Sequence, residues 1–507
     1  MERSAFDYRQ SLDFLALPER EPEDMGQQLA QALASGWRLL ALFGLPDEQP
    51  AESAFAASTP EPVALVAVLA HDSTRRLAAL RSQKLTSWPS FTPASPQAHY
   101  FEREIYEQWG AQPVGHPWLK PVRRIPDTFR PDDGTGYPYY RVEGGQVHEV
   151  AVGPVHAGII EPGHFRFQCY GEEVLHLEIA LGYQHRGAEA LLARSSAAQR
   201  LALAECLAGD SSIAHATAHC VLWERLTALP VTPRAQLVRR IALELERLAN
   251  HCGDLGAIAG DTGFLPTSSW NGRIRGDFLN ITALLCGNRF GRGLLAYGGT
   301  RQDADATLCK EMAERVRLAG RDARGAVDVM LESSSVMDRL EGTGALTEQQ
   351  ARQLGLVGVP ARACGLALDA RFHAPLADLP LPDAPCVENS GDVLARSRVR
   401  SRELDMSLAM VLADLERLAA SPAAPSGLQD VPPLPAWRLA VAQVEGWRGE
   451  ICHLAVTGAQ GQILACKVID PSFHNWPGLG LALRGAQISD FPLCNKSFNL
   501  SYCGHDL

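Results

Sequence analysis

The character of the chain changes at about residue 187, and this change constrains the possible folds most. Between residues 140 and 182, β-branched or aromatic residues alternate with polar ones and glycine turns interrupt them, which predicts short antiparallel strands. After residue 187, segments rich in Ala, Leu, Arg and Glu carry apolar residues at helical spacing. They predict helices long enough to pack as a bundle. The segments are 191–208, 233–252, 307–331 and 401–420.

A second, smaller domain is predicted ahead of the strands. The first 125 or so residues mix helical stretches with apolar runs such as 63–69, a pattern typical of α+β structure. Residues 126–140 collect Pro, Gly and Asp, which favour a connector. We therefore expect one domain over residues 1–128 and a second over residues 129–507.

A proline-rich break at residues 421–435 is followed by two further predicted strands, at 437–444 and 463–468. The predicted fold class is thus α+β. A small α+β domain is followed by a mainly helical domain that contains a small antiparallel sheet.

Composition excludes several classes of protein. Lys and Arg number 47 against 58 Asp and Glu, a net charge of −11, which argues against a nucleic-acid partner. The apolar runs fall far short of the roughly 20 residues that cross a bilayer. The start of the sequence lacks the pattern of a secretory signal, so we expect a cytoplasmic protein. The 12 cysteines form no C-x-x-C pair and are interpreted as small buried residues.

Two histidine-bearing turns are candidates for chemistry. GPVHAG would hold His156 on a glycine-bounded loop, where it either donates a proton to a ligand or simply ends a strand. GYQHRGAE groups His185, Arg186 and Glu189 at the start of the helical region. This group is either catalytic or a buried ion pair that fixes the junction.

Other polar residues lie in segments that are otherwise apolar. IAHATAHC places His215 and His219 one helical turn apart, a spacing that two metal ligands can use, although no partner ligand is evident nearby. Buried charges must be paired or line a wet cavity. Such charges are Glu244, Glu246, Arg247, Arg362, Asp369 and Arg371. The chain has no GxGxxG, Walker or GxSxG motif, so a self-contained dehydrogenase, NTPase or hydrolase is unsupported.

Taken in order, several motifs resemble one family. They are GPVHAGIIEPGHFRF, GYQHRGAEALL, AHATAHC, RIALELERLANH, GGTRQD, RACGLALDAR, EGWRGE and NWPGLGLALRGAQISDFPL. The series resembles the large subunit of membrane-bound group 4 nickel–iron hydrogenases, of the formate hydrogenlyase and hydrogenase 4 type, whose fold is shared by the D subunit of complex I. HYFEREIYEQWGAQPVGHPWLKPVR in turn resembles the signature of the complex I C subunit.

The metal ligands of that family are missing from this sequence. The resemblance implies four cysteine thiolates, two before the AHATAHC segment and two near the C-terminus. The corresponding positions hold Ala208, Ser211, Ser501 and Gly504. Ala and Gly offer no donor and Ser a weak one, so we expect no nickel–iron centre and no hydrogenase activity. An alternative is a different metal site formed by Cys206, Cys503, His215 and His505.

The complex I side of the family implies a quinone pocket in place of the metal site. His156 matches the quinone-binding histidine, but the tyrosine position falls near Gly209 and a lysine position is Ala190. We therefore expect no resident cofactor, with quinone as a candidate ligand. The expected cavity is lined by His156, His185, Glu189, His215 and Arg448, with His156 as proton donor and His185, Arg186 and Glu189 shaping a channel.

The resemblance also implies partners and a location. They are a small iron–sulfur subunit, a ferredoxin-like iron–sulfur subunit and antiporter-like membrane subunits, with this chain peripheral on the inner face of the cell membrane. NAD chemistry would belong to another subunit. A second hypothesis is a scaffold without a redox ligand, in which charged residues inside helices (Glu178, Glu244, Glu246, Arg247) transmit conformational change and couple proton movement.

Overall fold

The N-terminal part of the molecule is built on a five-stranded sheet. A computed structural model describes residues 5–46, 60–123, 139–158, 160–422 and 431–507. Strands pair in the order β1-β6-β5-β4, and β3 adds to β6 in parallel. The elements are β1 (Ala5–Asp7), β2 (Leu12–Asp13), β3 (Glu19–Arg20), α1 (Pro22–Ala34), β4 (Arg38–Leu45), β5 (Val63–His71), β6 (Arg76–Leu85), β7 (Ser87–Pro89), α2 (His99–Trp109) and β8 (Gln112–Val114).

The strands predicted between residues 140 and 182 are confirmed. They are β9 (Val147–Val152), β10 (His164–Tyr170) and β11 (Glu173–Ala180), paired antiparallel with β10 in the centre. Phe165 and Phe167 on β10 are buried on one face of this sheet, so the alternation in the sequence reflects a half-covered surface.

The helical region follows. Its elements are α3 (Ala188–Arg194), α4 (Ala197–Ala204), α5 (Ser212–Thr227), α6 (Pro233–Asp261), α7 (Leu265–Cys286), β12 (Leu295–Ala296), β13 (Gly299–Thr300), α8 (Ala306–Leu331), α9 (Ser334–Leu340), α10 (Glu348–Leu354), α11 (Gly358–Ala363), α12 (Ala370–His373) and α13 (Val393–Ala420). Helix α6 packs against α7 and α13, and α8 packs against the same two helices. These four long helices form a bundle, as predicted, but its members differ: α7 was not predicted, and the segment 191–208 is not one of the four.

The helix predicted over 191–208 is wrong as a single element. It is divided into α3 and α4 because Ser195 is extended and Ser196 caps the second helix. Ser196 and Gln199 form a reciprocal capping box, a sequence signal for a helix start that the periodicity obscured. The helices predicted at 307–331 and 401–420 are confirmed, and α13 starts earlier, at Val393.

The last part of the chain returns to strands before three short helices. These elements are β14 (Arg438–Glu445), β15 (Glu450–Thr457), β16 (Ile463–Ile469), α14 (Pro471–Ala482), α15 (Phe491–Phe498) and α16 (Tyr502–Asp506). The sheet order is β16-β15-β14-β2, so β2 from the N-terminal region completes a sheet of the C-terminal region. One hydrophobic core includes Phe6 and Leu42 together with Leu439 and Phe473.

The predicted fold class is confirmed, since an α+β unit precedes a mainly helical one with small antiparallel sheets. The predicted boundary between residues 128 and 129 lies outside the described residues and remains a prediction. Across the described ranges, no helix combines the length and the hydropathy that a bilayer span requires.

Candidate functional site

The site is centred on residues 499–507, which end in the short helix α16. Ser501 caps this helix, and its Oγ accepts a hydrogen bond from the backbone N–H of Gly504 at 2.9 Å. The backbone N–H of Ser501 donates to Ser472 Oγ at 2.8 Å. Ser501, His505 and Asp506 are all buried. Ser501 therefore both caps α16 and ties the segment to the start of α14.

Two arginines join this segment to residues 206–211. Arg186 donates to the carbonyl oxygens of Cys206 and Leu207, both at 2.9 Å, and to that of Cys503 at 3.0 Å. Arg448 forms a bidentate pair with the carboxylate of Asp210, at 2.6 and 2.7 Å, and its Nε donates to the carbonyl of Asn499. The two stretches that carry Ala208, Ser211, Ser501 and Gly504 are thus adjacent, although they are almost 300 residues apart in sequence.

The space beside Gly504 is closed by a carboxylate. A Cβ atom at Gly504 would lie 2.6 Å from Asp470 Oδ2 and 2.9 Å from Ser501 Oγ. Real Cβ atoms essentially never approach other heavy atoms so closely, so a side chain at this position requires Asp470 to move. Asp470 is held in turn, because its Oδ1 accepts from the backbone N–H of Ser472 at 2.8 Å and its Oδ2 contacts His215.

His215 belongs to a buried chain of polar side chains. Its Nε2 lies 3.0 Å from Asp470 Oδ2 and its Nδ1 lies 3.1 Å from His453 Nε2. The ring of His219 lies against that of His453, with centroids 6.0 Å apart, and His219 Nε2 lies 3.0 Å from the hydroxyl of Tyr297. The three histidines are fully buried. These side chains extend from Asp470, beside Gly504, towards α4, where the Tyr297 hydroxyl donates to the carbonyl of Ala197.

Burial and neighbouring charges set the protonation of these buried side chains. Burial lowers the pKa of His219 to about 3, and the Arg200 charge adds to the effect. Burial and the neighbouring His215 hold the pKa of His453 well below its usual range. For Asp470, burial opposes ionisation, but the hydrogen bond and charge of His215 hold the carboxyl pKa below its ordinary value. Asp470 is therefore the anionic end of the chain.

His156 lies on the loop before β10 and faces the same segment. Its Nε2 is 2.9 Å from the carbonyl oxygen of Gly163, so this nitrogen donates. Glu161 of the same loop accepts a hydrogen bond from the backbone N–H of Tyr502 at 3.3 Å. The loop thus contacts the start of α16. Val155 and Ile160 beside it are 76% and 56% exposed, so this loop presents two apolar side chains to solvent.

His185 and Glu189 lie on the other side of residues 499–507. His185 Nδ1 is 2.7 Å from the carbonyl oxygen of Asp506. Glu189 pairs with Lys467 at 2.9 Å, and Lys467 pairs with Glu104 of helix α2 at 2.5 Å. These charges lie beneath a cavity of about 120 Å³ whose apolar walls include Phe43 and Trp109. The structure thus assigns the predicted site residues to different networks around one segment.

The cation in this second network titrates near neutrality. Burial lowers the pKa of the Lys467 ammonium to about 8, although Glu189 opposes the shift. The pKa of Glu189 is below its ordinary value because Lys467 and Arg123 outweigh the effect of burial. The ion-pair interpretation of Glu189 therefore fits this geometry.

The metal site considered for Cys206, Cys503, His215 and His505 has little geometric support. Cys206 is exposed, and His505 Nδ1 lies 2.9 Å from its neighbour Asp506. His215 uses both ring nitrogens within the buried chain. Over the described part of the molecule, no three His, Cys, Asp or Glu side chains are arranged to hold a metal ion. The Nε2 atoms of His215 and His219 contact different partners, Asp470 and the hydroxyl of Tyr297.

The charged residues of the bundle form one buried ion network. Arg362 pairs with Glu403 and with Glu445, both at 2.7 Å, and the three side chains are almost fully buried. Glu244 contacts Arg247 at 3.1 Å and Arg371 at 3.4 Å. Glu178, which was grouped with the helical charges, instead lies on strand β11 and pairs with Lys120 at 2.5 Å. That part of the prediction is wrong.

Glu246 of α6 lies against the start of α5, next to Ser211. Its carboxyl oxygens accept hydrogen bonds from the backbone N–H groups of Ile213 and Ala214 at 2.8 and 3.2 Å. Burial raises the pKa of Glu246 to about 8, against the effect of these two bonds. This residue and Lys467 both titrate near neutral pH beside the site.

Three important residues were missed in the sequence: Asp470, His453 and Asp210. For Asp470 a signal existed, because Asp followed by Pro marks a helix start, and Asp470 does cap α14. Nothing local marks His453, whose role depends on β15 crossing beside α5. Asp210 lies between Ala208 and Ser211 and gains its importance only from Arg448.

Comparisons with known proteins address the class of the molecule. Residues 28–141 match the model of the respiratory-chain NADH dehydrogenase 30 Kd subunit, and residues 261–436 match that of the 49 Kd subunit. The fold and the site thus define a single chain that joins both complex I subunit types.

Relatives narrow this class to a family. The chain is 31% identical to formate hydrogenlyase subunit 5 of Escherichia coli over 439 residues, covering 82% of this chain and 76% of the relative. It is 30% identical to hydrogenase-4 component G of the same organism, with 82% and 75% covered. The carbon monoxide-induced hydrogenase of Rhodospirillum rubrum is 30% identical, with 69% and 97% covered. The chain belongs to the complex I-related group 4 hydrogenase family, as the motifs predicted.

A solved structure agrees at the level of the fold. A chain in the structure of the membrane-bound sulfane sulfur reductase, an archaeal respiratory membrane complex, matches with a TM-score of 0.65 at 23% identity. The match covers 73% of this chain and 100% of that chain.

Proposed function

We propose that this chain is the large subunit of a complex I-related oxidoreductase complex and that it works without a nickel–iron centre. It would lie at the inner, cytoplasmic face of the cell membrane and pack against a small iron–sulfur subunit. A ferredoxin-like iron–sulfur subunit and antiporter-like membrane subunits would complete the complex, with any NAD chemistry in another subunit. The similarity to subunits of formate hydrogenlyase and NADH-quinone oxidoreductase supports this assembly.

The contact between Gly504 and Asp470 carries the metal-free part of the proposal. Soft thiolates suit a nickel–iron pair, whereas this site offers a methyl group at Ala208 and hydroxyls at Ser211 and Ser501. The room for a fourth ligand side chain is taken by Asp470 Oδ2, 2.6 Å from the position of a Cβ at Gly504. The donor set and the space both disfavour the bimetallic centre.

In place of hydrogen chemistry, the site would receive electrons from the cluster of the small subunit and pass them to a ligand, with quinone as the candidate. Two electrons and two protons convert a quinone to a quinol. His156 in its imidazolium form would supply one proton from Nε2, exchanging its bond to the Gly163 carbonyl for one to the quinone oxygen, and would be left as the neutral imidazole. Solvent would supply the second proton. The exposed apolar side chains of Val155 and Ile160 would contact the quinone ring or tail.

Nickel content of the complex, purified with its natural partner subunits, tests the metal-free part. We expect nickel far below one equivalent per large subunit, and one equivalent of nickel would overturn the proposal. Iron is less informative because partner clusters contain it. Zinc measured in the same samples tests the alternative metal site.

Quinone analogues test the ligand. We expect a water-soluble short-chain quinone to raise the unfolding temperature of the complex and to be reduced by it. His156→Ala should remove reduction while leaving the fold intact. His148→Ala is the matched control, because His148 is an exposed histidine on neighbouring β9. Equal turnover in both variants would remove His156 from the mechanism.

A second candidate function is a scaffold that couples proton movement without binding a redox ligand. The buried ion network of the bundle favours it. Arg362 of α11 and Glu403 of α13 are 0% exposed and pair with each other, and Arg362 also pairs with Glu445 of β14, so the network joins three elements. Such a network can shift between alternative pairings as a unit. Indifference of the complex to all quinone analogues, with proton coupling lost in Glu403→Gln, would favour the scaffold.

A further inference from the structure

A wide cleft lies on a part of the molecule that the proposed function does not use. It is bounded by the segment after β1, by helices α5 and α6 and by residues 375–376, and it has a volume of about 760 Å³. This volume is in the range of small-molecule sites. Four arginines and a single carboxylate line it: Arg9, Arg225, Arg239, Arg438 and Glu224.

The one carboxylate that lines the cleft among the described residues, that of Glu224, is already neutralised. Arg239 binds both oxygens of Glu224, with Nη1 at 2.9 Å and Nη2 at 2.6 Å. The backbone N–H of Gly298 donates to the same carboxylate at 2.8 Å. Glu224 therefore has little capacity left for a second guanidinium.

Two of the other arginines bind only neutral oxygens. Arg225 donates to the carbonyl of Val441, and Arg438 donates to the carbonyl and the hydroxyl of Ser11 at 2.5 and 2.9 Å. Within the described ranges, neither forms an ion pair with a carboxylate. Both guanidiniums therefore bring positive charge into the cleft without a matching anion, an unusual state for partly buried charges.

The third arginine, Arg9, lies at the rim of the cleft and has an exposed partner. Arg9 and Arg225 lie against the same ring, that of Tyr8, with their guanidinium carbons 5.3 and 5.6 Å from its centroid. Arg9 pairs with Asp378 at 2.5 Å, but the Asp378 side chain is 83% exposed and solvent screens the pair. Burial lowers the pKa of Arg225 to about 10, and the charge of Arg9 acts in the same direction.

We infer that this cleft binds a small organic anion that carries at least two negative charges, such as a polycarboxylate or a phosphate ester. Arg225 and Arg438 would each bind an anionic group through the two-pronged geometry that guanidinium offers to carboxylate and phosphate. Arg9 would close the rim, and the amide of Gln236, which also lines the cleft, would bind a neutral part of the ligand. None of these residues belongs to the networks around residues 499–507.

Binding to the purified full chain tests the inference. Pyrophosphate, citrate and ATP are titrated by calorimetry at constant ionic strength, with chloride as the reference anion. We expect saturable binding of at least one of the three, together with a higher unfolding temperature. Phosphate and carboxylate ligands are distinguished by which of the probes binds more tightly.

Variants locate the site. Arg438→Gln should weaken binding about tenfold or more, since it removes charge-assisted hydrogen bonds to the anion. Arg225→Gln should weaken binding to a similar extent. If the Arg225 variant does not fold, Arg438→Gln is sufficient to test the site. The control is Arg315→Gln, an exposed arginine on α8 paired with Glu311. Failure of all three probes to bind, or equal affinity in Arg438→Gln and Arg315→Gln, would overturn the inference.

Discussion

The imidazole of His215 binds the carboxylate of Asp470 at 3.0 Å, and both side chains are excluded from solvent. This pair links helix α5 to the start of α14, and through Asp470 it closes the space beside Gly504. A histidine predicted as a candidate ligand thus lies inside a buried chain of polar side chains, between Asp470 and His453. The stability of the protein should therefore be sensitive to substitutions at Asp470 and Gly504.

Replacing the carboxylate of this pair should destabilise the protein. Asp470→Asn keeps an oxygen that can cap α14 but loses the charge that His215 binds, so we expect a loss of about 1–3 kcal/mol in unfolding free energy. Urea denaturation followed by circular dichroism measures the change. Asp405→Asn, at an exposed aspartate paired with Arg324, is the control and should change stability little. Equal stabilities would show that the His215 contact contributes nothing.

The closed space at Gly504 predicts an asymmetry between two glycines. Gly504→Ala should destabilise by about 1–3 kcal/mol because its Cβ would lie 2.6 Å from Asp470 Oδ2. Gly325 is an exposed residue of α8, and nothing lies within 4 Å of the position that a Cβ atom would take there. Gly325→Ala should therefore stabilise the protein by up to about 1 kcal/mol. Thermal unfolding of both variants tests this. A neutral Gly504→Ala would mean that the site has room for a ligand side chain.

The raised pKa of Glu246 predicts that the unfolding free energy declines as the pH rises. Burial raises its pKa from 4.5 to about 8, so the folded state binds a proton that the unfolded state has released between these values. Unfolding free energy should therefore fall by about 1.4 kcal/mol per pH unit over this window. Glu246→Gln should remove this slope, as measured by urea denaturation from pH 5 to 8.

The control for this experiment is Glu311→Gln, which removes an exposed carboxylate of α8 and should leave the slope unchanged. A Glu246→Gln profile that superimposes on that of the unmodified protein would contradict the prediction.

Glu450 on β15 links the C-terminal sheet to the N-terminal sheet through Arg38. It accepts from Arg38 of β4 at 2.6 and 2.7 Å and lies 2.9 Å from His373 Nε2. Glu450→Gln leaves buried cations underpaired and should cost about 3 kcal/mol. Glu388→Gln, which alters a half-buried pair with the exposed Arg402, is the comparison and should cost less.

The same variant should alter the pH dependence through His373. Burial opposes protonation of His373, but Asp72 and Glu450 outweigh it and raise the pKa above 6.5. The stabilisation is therefore complete below pH 6.5 and is lost as pH rises through the folded pKa. Glu450→Gln should reduce this loss. An unchanged profile above pH 6.5 would show that Glu450 does not hold the histidine proton.

The spacing of apolar residues in the sequence predicted those helices whose buried residues repeat at the same spacing. Helices α8 and α13 were found because their apolar residues repeat at helical spacing and face the bundle. Helix α7 was not predicted, since its sequence includes Pro266, Gly272 and Gly276 among polar residues. Such residues are poor helix formers, and close packing against α6 compensates for them.

The site was predictable only as far as its motifs extended. The family motifs located His156, His185 and the four positions matched to metal ligands (Ala208, Ser211, Ser501 and Gly504), and all of these lie in or near the networks around residues 499–507. Their partners could not be read from the chain, because Asp470 meets His215 across 255 positions and Arg448 meets Asp210 across 238. Contacts of this range depend on how α5 crosses the C-terminal sheet, which local sequence does not encode.

The pairing of β2 with β14 has a consequence for how the polypeptide holds together. If a protease site were inserted between residues 123 and 139 and cleaved, β2 of the first fragment would still pair with β14 of the second. The two fragments would also still be joined by a common hydrophobic core and by the Arg38–Glu450 salt bridge. They should migrate as one particle on a sizing column until denaturant separates them. The covalent fusion of the two halves would then matter for their synthesis in equal amounts more than for their adhesion.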